Sequence, residues 1–321
     1  MNPAGEERPR HEPVMLHEVT ELLAPAVARP GARIVDVTLG LGGHSAALLE
    51  RAAADARLLG LDRDDDALAI AGERLAPWGE RVVLRHARFS ELAQTLDELG
   101  WERVDAVVAD LGVSSLQLDD AQRGFSFQRE GELDMRMDRT RGESAADLLA
   151  RLSQSEIAAL LRDLGEEPEA KRIARALCRA EGGRPRTTQE LRAAVLRAVG
   201  GRATRRHDPA TLTFQALRIA VNDELGELEN LLETLPQRLA PGARVAFLAY
   251  HSLEDRIVKQ HLRRWSARCV CPPELPVCQC GGKARAIRLT PGAQRPSDDE
   301  VARNPRARSA RLRAVEWVDG R

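Results

Sequence analysis

The chain has 321 residues, 43% hydrophobic and 30% charged, with 48 Lys and Arg balancing 49 Asp and Glu to a net charge of −1. That composition belongs to a globular protein of one large domain or two modest ones, and the near-neutral balance argues neither for nor against a nucleic-acid partner. It excludes a membrane span, because no apolar run reaches the roughly eighteen residues that one needs. Met1 to Arg10 is polar and charged, without the apolar centre of a signal peptide, so a cytoplasmic location is expected.

In chain order, the first elements alternate between strand and helix. Strands are predicted near Arg33–Val37, Arg57–Leu61, Val82–Arg85 and Val104–Ala109, with helices near Ser45–Ala53, Asp66–Leu75 and Glu91–Leu99. That alternation predicts a doubly wound α/β fold with a parallel sheet. Its ligand should sit beyond the carboxyl ends of the strands. Three of these apolar runs carry an acid near that end: Asp36, Asp62 and Asp110. Between the first two lies a glycine turn, Gly40-x-Gly42-Gly43-His44-Ser45. A dinucleotide fingerprint wants a third glycine, which is missing here, and Asp36 would repel a pyrophosphate. A carboxylate there instead favours a cationic group such as the sulfonium or amino group of S-adenosylmethionine, while Asp62 suits a ribose diol.

The pattern then becomes helical from about Ser144 to Gly200. Capping boxes begin at Ser153 and Thr187, and apolar stripes run through Ile157, Leu160, Leu161 and Leu164 and through Leu191, Val195 and Val199. After a Gly/Arg-rich linker, Gly200 to His207, a long helix is predicted from Thr211 to Leu235. Pro241-Gly242 leads into a buried strand, Arg244–Ala249. The domains expected are therefore 1–118 with 208–321 for the α/β part, and 119–207 for a helical insertion. Arginine clusters at Arg202–His207 and Asn304–Arg311 are open to two readings, phosphate contacts or a solvated face. Cys269-x-Cys271 and Cys278-x-Cys280 are open to structural zinc or to reduced thiols, and no catalytic metal is expected.

Two long segments follow neither period. One runs from Leu111 through Ser114, Gln117, Asp120, Arg123, Phe125 and Phe127 to Asp138, and the other is Tyr250-His251-Ser252-Leu253-Glu254-Asp255-Arg256. Long non-repetitive loops inside compact domains are usually functional. Here the resemblance is specific. Val35–Ser45, Asp110–Asp120, Arg123–Phe127, Leu133–Asp138, Thr213–Ile219, His251–Arg256 and Asn304–Ser309 resemble, in order, the motifs of the RsmH (MraW) family.

The resemblance implies a Rossmann-like methyltransferase domain interrupted by a small helical domain. It also implies S-adenosylmethionine as cofactor and N4 of a cytosine in the decoding centre of 16S rRNA as target, with the small ribosomal subunit as partner. Oligomeric state stays open, a homodimer included. Carried over residue by residue, cofactor contacts fall on Gly42, Gly43, His44, Asp62, Phe89, Asp110 and Gln117. For the proton leaving N4, the candidates are Asp110, a backbone carbonyl in Gly112–Ser115, and then His251. Phe125 and Phe127 would line the pocket for the unstacked base or else anchor their loop to the core. The rival readings are an NAD-dependent oxidoreductase on the same fold, an amino-methyltransferase of DNA or transfer RNA, and a scaffold without catalysis.

Overall fold

The apolar runs of the first hundred residues become strands of one sheet. The computed structural model describes residues 12–180, 183–200, 208–269, 271, 279 and 282–318. It opens with α1 (Leu16–Val27), β1 (Arg33–Asp36), α2 (Gly43–Arg51), β2 (Arg57–Asp62), α3 (Asp65–Leu75), β3 (Val82–His86), α4 (Leu92–Glu98) and β4 (Val104–Asp110). Six helices follow: α5 (Ser115–Asp119), α6 (Ala145–Arg151), α7 (Gln154–Gly165), α8 (Ala170–Cys178), α9 (Thr188–Val199) and α10 (Thr211–Asn222). The chain continues as α11 (Glu224–Arg238), β5 (Leu239–Ala249), α12 (Ser252–Ser266), β6 (Ala286–Arg288), α13 (Asp298–Arg303) and β7 (Arg311–Trp317).

The sheet order is β3-β2-β1-β4-β5-β7-β6. Strands β1 to β5 run parallel, and β7 is antiparallel to both its neighbours. Alternate residues of each central strand feed opposite faces. Val35, Leu59, Val107 and Val245 pack with α4, α11 and α12, whereas Ile34, Leu58, Ala106 and Ala246 pack with α1, α2 and α3. Helices on both faces explain why these strands read as unbroken apolar runs. Since β1 lies between β2 and β4, the strand order reverses there, which opens a crevice at their carboxyl ends.

The chain divides into two compact units, one up to Gly112 and from Leu228 onward, the other Val113–Glu227. These limits differ from the expected 118/119 and 207/208. Helix α10, assigned from the sequence to the α/β part, buries Phe214, Ala216 and Leu217 in the core of the second unit with Ile157, Leu161, Ile173 and Val195. The predicted helix Thr211–Leu235 is two helices. Asp223 ends the first in a left-handed conformation, φ 48°, its N–H bonded to the carbonyl of Ile219. Strand β5 starts earlier than expected, at Leu239, and its register against β4 slips between Val104 and Ala106 to take in Pro241-Gly242. Among the described residues no helix is long and apolar enough to cross a membrane.

Candidate functional site at the carboxyl ends of the strands

The turn after β1 is built around its own acid. Asp36 is 1% exposed. Its carboxylate accepts the Thr38 N–H at 3.1 Å and the Ser45 hydroxyl at 2.7 Å. Burial raises its pKa to about 6, against the lowering effect of Ser45 and His44. Both oxygens fasten the turn to the start of α2, so this acid has a structural role besides the charge it lends the turn. Thr38 then accepts the backbone N–H of Asp110 at 2.6 Å, tying the turn to the end of β4.

Asp62 closes the other side. Its two oxygens accept the N–H groups of Gly40 at 2.7 Å and Asp64 at 2.9 Å, and burial raises its pKa. Each oxygen has a second lone pair, so capacity for a ribose hydroxyl remains. Phe89 is half-buried just past β3, with the Arg63 guanidinium 5.6 Å from its ring centre. Gly42, the residue before α2, has φ 73°, where a side chain would be strained. A Cβ on Gly43 would collide with the Pro13 ring, so chain packing is enough to require that glycine.

His44 and Asp110 are less fully engaged. Both ring nitrogens of His44 are buried without a hydrogen-bond partner among the described residues, and Nε2 lies 3.5 Å from Asp110 Oδ2. Buried polar atoms are rarely left so, and a ligand is one explanation. Asp110 Oδ1 accepts the Tyr250 hydroxyl at 2.6 Å. Burial, and then the adjacent carboxylate, push the Tyr250 phenol well above its ordinary pKa of 10.0, so it stays protonated and donates. Tyr250 is a site residue that the sequence alone does not assign. The available signal was the chain's one tyrosine directly after an apolar strand.

His251 caps α12. Its Nδ1 accepts the Glu254 N–H at 3.4 Å, and its Nε2 lies 3.0 Å from Glu254 Oε1. Glu254, 2% exposed, also accepts the Tyr250 N–H at 2.9 Å. The neighbouring Asp255 binds Arg313 at 2.7 Å and Arg311 at 2.9 Å, which joins α12 to β7. Of the second arginine cluster, Arg311 thus pairs with Asp255, and the side chains of Arg306 and Arg308 are solvent-exposed. The Arg202–His207 cluster, Cys278 and Cys280 lie outside the described residues, and Cys269 is exposed.

Gln117 lies in the second unit, where its side chain accepts the Ser114 N–H at 3.1 Å in a capping box for α5. Of the two readings of the Phe pair, the anchoring one holds. Phe125 is buried in the helical core, and Phe127 packs edge-to-face on Phe214 with ring centres 5.1 Å apart.

A doubly wound sheet with a reversed penultimate strand and a glycine turn at its switch point is the architecture of a Rossmann-like α/β methyltransferase. The chain belongs to the MraW methylase family, whose model matches residues 8–318. It is 52% identical over 313 residues to a ribosomal RNA small subunit methyltransferase H of Nitratidesulfovibrio vulgaris, covering 95% of this chain and 85% of that one. A protein of the same description from Anaeromyxobacter dehalogenans is 53% identical over 309 residues, covering 96% and 97%. A solved rRNA methylase from Streptococcus thermophilus shows a weak likeness, 13% identical with TM-score 0.44, covering 98% of this chain and 100% of that one. The cofactor is S-adenosylmethionine. The unpartnered nitrogens of His44 and the remaining acceptor capacity of Asp62 and Asp110 fit its polar groups.

Proposed function

We propose that this chain methylates N4 of a cytosine in the decoding centre of 16S rRNA, acting in the cytoplasm on the small ribosomal subunit. The observation that carries the reading is the Asp110 carboxylate at the end of β4, one oxygen held by Tyr250 and the other facing the unpartnered ring of His44. The names borne by relatives about half identical support the substrate class.

Gly42, Gly43 and His44 hold the methionine end of the cofactor, Asp62 its ribose and Phe89 its adenine. The expectation for Gln117 rests on the resemblance alone. When bound, S-adenosylmethionine supplies a methyl group activated by its sulfonium. The lone pair of cytosine N4 is delocalised into the ring, so the amine attacks well only when held and relieved of a proton. Asp110 takes that proton on the oxygen that Tyr250 leaves available. His251, whose ring nitrogens both face Glu254, is the second candidate and is separated from the first by variants. The neutral Tyr250 phenol keeps the Asp110 carboxylate oriented without competing for the proton.

The test is methyl transfer from isotope-labelled S-adenosylmethionine to unmethylated small subunits, with naked 16S rRNA and DNA alongside and nucleosides identified by mass spectrometry. N4-methylcytidine in the rRNA is the expected product. Label in DNA, or on another atom of the base, would overturn the substrate. Transfer lost in Asp110→Asn and kept in His251→Gln would assign the acceptor.

A further inference from the structure

In a chain whose charges balance, one segment does not. From Arg256 to Ser297 there are nine Lys and Arg and a single acid, Glu274. Helix α12 displays much of that excess. Arg256, Lys259, Arg263 and Arg264 are exposed, at the spacing of one helical face, while the helix's acids, Glu254 and Asp255, are buried. Among the described residues no carboxylate forms an ion pair with Lys259, Arg263 or Arg264. The charges that reach α12 from α11, those of Glu229 and Glu233, act on His261. At its far end the helix borders a cavity of about 690 Å³ lined by Gln260, Arg263, Arg264, Ser266 and Arg288. Arg288 comes from β6, which is held against the helix by the Arg285 N–H donating to the Trp265 carbonyl at 2.8 Å.

We propose that the outer face of α12 and this arginine-lined cavity bind the phosphodiester backbone of RNA. The reading of the chain as an rRNA methyltransferase is what makes RNA the partner. Three guanidinium groups converge on one concave surface, and a guanidinium fork matches phosphate oxygens bidentately. Exposed like charges repel one another, so placing them together without carboxylates costs stability that a polyanion recovers. The position fits as well. Helix α12 starts at His251, beside the carboxyl end of β5 where Tyr250 meets Asp110, and its cations extend about 12 Å along the axis from Arg256 to Arg264. A strand whose base enters the catalytic site has a continuous cationic track leading away from it.

The experiment measures binding of unmethylated small subunits to the full chain by filter retention across a salt series, with methyl transfer assayed in parallel. In the triple variant R263A/R264A/R288A, affinity should fall about tenfold or more at moderate salt. The slope of log affinity against log salt should become shallower by about two, with S-adenosylmethionine affinity unchanged. The charge-keeping variant R263K/R264K/R288K should retain most of the slope. Equal slopes for wild type and the alanine variant overturn the surface, whether or not methyl is transferred. A slope difference without rRNA methylation supports the surface and overturns the methylation reading instead.

Discussion

The two units treat their buried polar residues differently. In the helical unit, buried polar side chains tie down the loop from Asp120 to Asp138. Arg123, 2% exposed, donates to the carbonyl of Met137 at 2.9 Å. Asn222 donates to the Met135 carbonyl and accepts the Met137 N–H, and Asp134 grips Arg136. In the sheet unit, Asp36 behaves the same way, but neither ring nitrogen of His44 has a hydrogen-bond partner among the described residues, and its Nε2 lies 3.5 Å from Asp110 Oδ2. Both regions look equally chemical in the sequence. What marks His44 is that neither ring nitrogen is matched, whereas each strap side chain named here bonds the chain's own groups.

The sharpest way to break that comparison is Asp110→Asn. The amide oxygen can still accept from Tyr250, so unfolding should be little changed, while methyl transfer to the small subunit should fall about 10³-fold. Single-turnover rates beside thermal unfolding decide the matter, and a rate within threefold of wild type would remove Asp110 from the chemistry.

Asp36 tests the opposite case, an acid at the site that serves structure. Its ordinary pKa of 3.8 becomes about 6 in the folded chain. Between those values the folded state holds a proton that the unfolded state has lost. The contribution of Asp36 to stability is therefore complete below about pH 4 and declines as pH rises through about 6, by at most about 3 kcal/mol. Asp36→Asn should remove that decline. Urea unfolding of both proteins from pH 4 to 7.5 should show the variant gaining on wild type as pH rises, and parallel curves would contradict the burial argument.

Much of the sheet was legible because apolar runs bounded by turns leave few alternatives. The end of β4 at Asp110 was legible for the same reason. Strand β7 was hidden. It buries Leu312 and Ala314 in one core and Val315 and Trp317 in the other, so the run lacks a simple alternation, and the partly exposed Arg311 and Arg313 make it resemble a charge cluster. The break at Asp223 carries no Gly or Pro, so only its left-handed backbone marks it. At the site, residue types were readable but partners were not. Tyr250 and Asp110 are 140 positions apart, and their pairing exists only because β4 and β5 are neighbours with Asp110 opposite Leu248.

The helical unit has a backbone counterpart to the Asp110 test. A Cβ on Gly131 would run into the Ala121 carbonyl, and one on Gly124, at φ 74°, into the Glu132 carbonyl. Gly131→Ala should destabilise the loop by about 2 kcal/mol. Hydrogen exchange should quicken between residues 120 and 138 and stay slow in β1, β4 and β5. Exchange accelerating equally across the sheet would show that the two units do not lose structure separately.

Tyr250→Phe is the smallest change and the most discriminating. It deletes one oxygen, leaves the ring packing and frees Asp110 Oδ1. If the phenol only fills space, activity is unaffected. If it orients the carboxylate, kcat should fall about tenfold, the scale of one charged hydrogen bond. KM for both substrates should stay within twofold, because the bond matters when the proton moves and not when the base or donor binds. Its effect should also be independent of pH through the assay range, since burial keeps the phenol protonated there. A fall in affinity for S-adenosylmethionine with kcat unchanged would instead place Tyr250 among the residues that hold the cofactor, and Asp110 would then lack the anchoring that its role as proton acceptor requires.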